Sequence, residues 1–324
     1  MKYRKLGRWG AQLSVVGLGS WLTYGSAVER EAAAACVKAA YERGINFFDT
    51  ANVYARGAAE EVLGGILSQF RRDSLFIATK VYFPMGDGPN DRGLSRKHVF
   101  EQIDRSLKRL RVDYVDLYQC HRFDANAPVE ETCAAMNDLI RGGKILYWGV
   151  SEWNADQIAA AAALCRARGW YEPAGNQPQY SALYRRIEAR VLPATAEYGL
   201  GNVVWSPLAM GVLTGKYVDA ARPPSGTRAA SAGKAMMEDF FKQPVLDAVQ
   251  KLLPLAREAN VTMSQLALAW CLRRPEITSA IVGATDVSHV HDNAAAADAA
   301  IDASVFREMN RILEPVCVYE PYSD

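Results

Sequence analysis

The stretch GINFFDTANVY, residues 44–54, decides how the rest of the chain is read. Its first half, Ile45-Asn46-Phe47-Phe48, is a short apolar run long enough for a buried strand. The run stops at Asp49, and Thr50, Ala51 and Asn52 read as a loop leading to Tyr54. A carboxylate at the mouth of a buried strand, with a phenol a few residues on, can serve proton chemistry. The phenol can give a proton, and the carboxylate can hold a cation that makes it a better acid. A plainer reading has Asp49 capping the next helix and Tyr54 as a half-buried surface side chain. This segment alone leaves both standing.

Outward from this strand, a β-then-α alternation recurs along the whole chain. Residues 2–6 and 13–16 read as a small hairpin around the turn at 7–10. Strand-like runs follow at 14–19, 45–48, 75–79, 114–119, 145–150, 174–177, 202–205 and 279–282. Between them lie helical patterns at 30–43, 58–70, 96–110, 129–141, 154–167, 185–198, 245–259 and 263–273, with a last pair at 287–299 and 303–313. Strands apolar almost throughout, separated by amphipathic helices, are the signature of a parallel sheet covered by helices. Eight such units predict a closed (β/α)8 TIM barrel, with an N-terminal β-hairpin and extra C-terminal helices, forming a single domain over 1–324. A dinucleotide-binding doubly wound sheet fails a specific test. Gly17-Leu18-Gly19 starts the glycine fingerprint, but Leu22 stands where its third glycine belongs, and residues 23–27 separate it from any helix. Those glycines are read instead as permitting close packing at a strand end.

Composition sets the bounds. The chain has 324 residues, and one such barrel accounts for about 250. A net charge of +1 leaves no electrostatic footprint for nucleic acid or an anionic membrane. Six cysteines without CxxC spacing fit reduced thiols better than disulfides or a metal site. The N-terminus lacks the apolar core of a signal peptide, and no tract is long enough to span a bilayer, so the expectation is a soluble cytoplasmic protein. Residues 208–240, rich in Gly, Pro, Ala and Lys/Arg, form the one irregular region and read as a flap over a ligand.

In such a barrel the site lies at the C-terminal ends of the strands. Those ends carry Trp21, Asp49, Lys80, His121, Ser151 with Glu152 and Asn154, Asn176 with Gln177, Trp205 with Ser206 and Pro207, and Gly283 with Thr285. Lys80 beside Asp49 can form a buried ion pair, and its charge would lower the Tyr54 phenol from its free value of about 10. A phenol so tuned suits a general acid for an alkoxide forming on a reduced carbonyl, with His121 orienting the same oxygen. None of these groups delivers a hydride, so a nicotinamide cofactor must. Trp205 offers a face for stacking its ring, and Gln177 with Asn176 offers amides that match its carboxamide.

Taken together, FFDTANVYARGAAEEVLG, FIATK, GLSRKHV, RLRVDYVDLYQCHR, KILYWGVSEW, VVWSPLAMGVLTGKY, LALAWCLR and IVGAT resemble the aldo-keto reductases. The branch most similar is the one containing the β-subunits of voltage-gated potassium channels, and the resemblance covers essentially the whole chain. It implies that Asp49, Tyr54, Lys80 and His121 form the catalytic tetrad. It also implies NADP(H) contacts from Trp21, Asp49, Ser151, Asn154, Gln177, Trp205, Ser206, Pro207 and Leu208. Further contacts come, by the same resemblance, from Gly211, Lys216, Gly283, Thr285, His289, Asp292 and Asn293, and of the flap cations Lys216, Arg222 and Arg228 that could take the 2′-phosphate, Arg228 is matched to the family's arginine. It implies an NADPH-dependent reductase of aldehydes and ketones, with a homo-oligomer of four subunits or more. The alternative it carries is a redox-sensing, nicotinamide-binding accessory subunit of a protein complex. Mammalian channel subunits have asparagine where this chain has His121, which favours turnover.

Other signals are weaker. His289 and His291 are two apart on a helix and point to nearly opposite faces, so no metal pair is expected. His98, at a helix start, reads as a surface residue and Glu152 as a solvated loop charge. Tyr180 reads equally as pocket wall or core. The basic run at 105–111 reads as a charged helix face.

Overall fold

The structure is a computed structural model that describes residues 1–21 and 30–320; residues 23–27, expected to separate strand from helix, lie outside these. A hairpin of β1 (Tyr3–Lys5) and β2 (Gln12–Ser14) comes first, paired antiparallel with Arg4 opposite Leu13. Eight parallel strands then close a barrel: β3 (Val16–Gly19), β4 (Phe47–Asp49), β5 (Phe76–Val81), β6 (Val115–Cys120), β7 (Ile145–Ser151), β8 (Gly175–Gln177), β9 (Gly201–Val204) and β10 (Ile277–Val282). Each pairs with its neighbour in sequence, and β10 closes on β3. The expected (β/α)8 barrel, its hairpin and its late helices are all present.

Helices cover the outside: α1 (Arg30–Glu42), α2 (Ala58–Leu67), α3 (Arg96–Leu110), α4 (Val129–Arg141), α5 (Ala155–Arg168) and α6 (Val191–Tyr198) follow β3 to β8 in turn. In α3 the buried side chains Val99, Ile103, Ser106 and Leu110 recur at helical spacing, forming the stripe laid on the sheet. Ser95 caps its first turn by accepting from the His98 amide. After β9 come α7 (Gln243–Gln250), α8 (Leu253–Glu258) and α9 (Met263–Leu272), and after β10 come α10 (Val287–Ala295) and α11 (Ala303–Leu313). The helix expected at 245–259 is two, because Pro254 has no N–H for a continuous ladder and instead opens α8. The one expected at 185–198 begins only at Val191, which places Pro193 in the first turn, where proline is tolerated.

The two ends of the barrel differ. At the N-terminal end Leu6, Leu13, Phe47, Phe76, Ala78, Leu117, Ala174, Val203 and Ile281 pack into an apolar floor. The hairpin is fastened to it by Arg4, whose guanidinium donates to the carbonyls of Leu272, Arg274 and Ile277 at 2.7, 3.0 and 2.6 Å. Gly17 is small for a reason: a β-carbon there would lie 2.5 Å from the Phe47 ring. The glycines of β3 thus serve close packing, as expected. Tyr180 is core, packed on Trp270 with ring centroids 5.2 Å apart. His98 is fully buried on α3 rather than on the surface, with Asn90 and Asp91 of the preceding loop among its neighbours.

Candidate active site

Side chains alternate along a strand, so the register that turns Phe47, Ala78 and Leu117 into the floor also turns Asp49, Lys80 and Gln119 inward one layer higher. Lys80 is fully buried and Asp49 is 3% exposed. The ammonium has three donors and uses all of them: Asp49 Oδ2 at 2.6 Å, the Thr50 carbonyl at 2.8 Å and the Tyr54 hydroxyl at 3.2 Å. Asp49 Oδ1 accepts from Gln177 Nε2 at 2.8 Å, so β4, β5 and β8 are joined through one carboxylate. The Tyr54 ring lies 4.9 Å from the ammonium, in a tight turn where Ala55 and Arg56 take left-handed backbone angles. Asp49 and Tyr54 thus meet on one ammonium, and Asp49 does not cap the helix that follows, while Tyr54 is half-buried as the plainer reading has it.

The electrostatics correct one expectation. Burial pushes the Tyr54 phenol above its ordinary value; Lys80 pulls it back only in part, against a further push from Asp49. Burial opposes the charge on Lys80, but Asp49 and Tyr54 outweigh it and raise the ammonium, which stays charged. His121 is held well below the usual imidazole value by burial, then by Lys80 and Arg122, and is neutral near pH 7. Its ring packs edge-on against Tyr54 at 5.8 Å and Phe83 at 4.9 Å, and its Nδ1 has no partner among the described residues.

Aromatic side chains line the mouth above the ion pair. Trp21 lies 6.4 Å from the Tyr54 ring and meets Trp205 edge-on at 6.0 Å, with 87° between the planes. Trp205 follows β9, and its indole Nε1 donates to Glu152 at 2.7 Å. Glu152 also accepts the Gln179 amide at 2.6 Å, so it is an internal acceptor, not a solvated charge. Asn176 is turned outward by the same alternation and donates to Asn202, which withdraws it from the carboxamide role expected of it.

The remaining expected cofactor residues fall into three groups. Ser151 is buried and donates to the Gln177 carbonyl, while Asn154 is the N-cap of α5 in a reciprocal capping box with Gln157. Ser206, Pro207, Leu208 and Gly211 form a kinked turn after β9, with φ of 52° at Ser206 and 97° at Gly211. A β-carbon at Gly211 would lie 3.3 Å from the Lys216 ammonium, so that backbone leaves the cation room to sit close. Gly283 and Thr285 follow β10; Thr285 lies 3.4 Å from His289, Asn293 is buried, and Asp292 accepts from Thr262 and Gln265 of the α9 cap. In the flap, Arg222 is 89% exposed and paired with Asp219. Arg228 is half-buried over the Trp21 ring at 5.9 Å, without a carboxylate partner among the described residues.

These residues fit a phosphate-bearing nicotinamide cofactor. An indole face at the mouth is fixed by Glu152, an amide lies at Gln177, and Lys216 and Arg228 have no carboxylate partner among the described residues. Among the same residues no cluster suited to a metal ion occurs, and no helix is long and apolar enough to cross a membrane. Thr50, Phe83 and Glu152 touch Lys80, His121 and Trp205 although the chain offers no local pattern that marks them.

Comparison with known proteins gives the family. The profile described as "Aldo/keto reductase family" matches residues 15–314. Similar proteins include a "Probable voltage-gated potassium channel subunit beta" of Arabidopsis thaliana, 42% identical over 301 residues, 92% of each chain. A protein of the same description from Oryza sativa subsp. japonica is also 42% identical over 92% of each chain. A "Putative voltage-gated potassium channel subunit beta" of Schizosaccharomyces pombe is 40% identical, covering 91% of this chain and 88% of its own.

Proposed function

Because the chain belongs to the aldo/keto reductase family, whose members bind nicotinamide cofactors, we propose that it is an NADPH-dependent reductase of aldehydes and ketones. The observation that carries this reading is the Lys80 ammonium, which donates at once to Asp49, the Thr50 carbonyl and the Tyr54 hydroxyl. Since the phenol oxygen accepts from Lys80, its own proton is free to point into the mouth toward an incoming oxygen. Burial keeps that proton on the phenol across the neutral range, and the ammonium stabilises the phenolate once the proton has left. Neutral His121 can donate one N–H to the same oxygen without adding charge. The bound nicotinamide supplies the hydride to the carbonyl carbon. Trp205 gives its ring a face, Gln177 an amide, and Lys216 and Arg228 the charges for its phosphates, with Arg228 assigned the 2′-phosphate.

Purified protein given NADPH deuterated at the transferring position and a reactive aromatic aldehyde should return an alcohol with one deuterium on its carbinol carbon. An unlabelled alcohol, or no alcohol, would overturn the reading. A second reading rests on the relatives described as channel β-subunits: a nicotinamide-binding accessory subunit, cytoplasmic and a tetramer or larger. Cofactor retained through gel filtration, with turnover slower than its release, would favour that one.

A further inference from the structure

Glu152 stands immediately after β7 with φ of 56°. That is left-handed backbone, which a side chain with a β-carbon adopts only where its surroundings hold it. In that conformation a single carboxylate oxygen accepts two hydrogen bonds, from the Gln179 amide at 2.6 Å and the Trp205 indole at 2.7 Å. The two donors are themselves joined, since Gln179 bridges Trp205 in a parallel pair and the Trp205 amide donates to Pro178. One acidic side chain therefore ties together the ends of β7, β8 and β9 and fixes the indole as it does so.

We propose that Glu152 does more than orient Trp205: its charge, delivered through the indole N–H, makes the site favour the oxidised nicotinamide over the reduced one. This rests on the reading that Trp205 carries the nicotinamide ring. The oxidised ring is a planar cation, whereas the reduced ring is neutral. An indole whose N–H donates to an anion holds more electron density on its face, and a cation stacked there gains where a neutral ring does not. The carboxylate also acts directly, attracting a positive ring within a few ångströms more than an uncharged one. Glu152 is then a positioning residue that sets the relative hold on substrate and product forms of the cofactor.

Calorimetric titration of the full-length protein with NADP+ and NADPH separately tests this. Glu152→Gln keeps an oxygen acceptor for both hydrogen bonds and removes the charge. Its affinity for NADP+ should fall about threefold to tenfold, while that for NADPH changes by less than about twofold. Equal changes for the two forms would overturn the inference and leave Glu152 a brace. Trp205→Leu tests the premise separately: wild-type affinity for both forms would sink the stacking reading itself. Loss of both forms in Trp205→Leu, with an unchanged ratio in Glu152→Gln, would keep the stacking and remove the polarisation. If Glu152→Gln does not fold, wild-type protein grown with fluorinated tryptophan, whose ring face is electron-poor, replaces it. The preference for NADP+ should shrink there too, and an unchanged preference would overturn the proposal.

Discussion

At the ends of β4 and β5, Lys80 spends its three donors on three acceptors within 3.2 Å, and the pair it forms with Asp49 is closed off from solvent. Across the mouth, residues 206–242 are held quite differently. They consist of short turns with left-handed angles at Ser206, Ala209 and Met210, an exposed Arg222, and two cations that lack carboxylate partners among the described residues. The first region has its geometry set by strands paired in a closed barrel, so its side chains are held in place by the sheet itself. The second is a loop in which Lys216 and Arg228 have no carboxylate partner among the described residues. Under the proposed function, chemistry falls to the strand ends and binding to the loop, and substitutions in the two should fail in different ways.

The largest effect is expected from Tyr54→Phe, which should lower kcat by about 10²–10⁴-fold while leaving cofactor affinity and melting temperature close to wild type. A comparable loss of cofactor affinity would break the contrast, because it would place Tyr54 among the binding groups. Asp49→Asn leaves a charged Lys80 buried without its partner and should cost about 3–5 kcal/mol of stability as well as activity. Denaturant unfolding measures this, and an unchanged midpoint would mean that the site admits enough water to replace the carboxylate. In the flap, Arg228→Ala should weaken NADPH binding about tenfold to a hundredfold and barely touch NADH, at little cost in stability. Equal losses for both cofactors would assign Arg228 to its contact with Trp21, not to a phosphate.

The smallest expected effect is a pH dependence of stability from the barrel side. His98 and His121 are both held below the ordinary imidazole value, in each case chiefly by burial. The unfolded chain therefore binds protons that the folded one refuses, and stability is lost as pH falls below about 6.5, by at most about 1.4 kcal/mol per unit per group. His98→Leu should flatten the stability profile measured between about pH 6.5 and 5. A slope that is unchanged would place the titrating groups elsewhere.

The sequence made the barrel legible because its strands are buried on both faces and read as apolar runs ending in polar residues. Asp49, Lys80 and Gln177 could be placed for the same reason. Asn176 follows from the same alternation that places Gln177, since neighbours along β8 face opposite sides and Asn176 turns to Asn202. What failed was whatever depended on an angle or a depth. Glu152 is not legible, because a left-handed turn aims it at Trp205, 53 positions away. The direction of the Tyr54 shift was missed since burial, which no spacing reveals, outweighs the ammonium. His98 was missed because a helix start by itself does not say which way its first turn faces.

The fastened hairpin beneath the barrel has a kinetic meaning. Leu6 and Leu13 complete a floor of packed hydrocarbon, so the interior is a blind well and not a passage. Whatever reaches Lys80 must come and go by the mouth that the flap borders. Of any two guests, the one seated deeper has to arrive first and depart last.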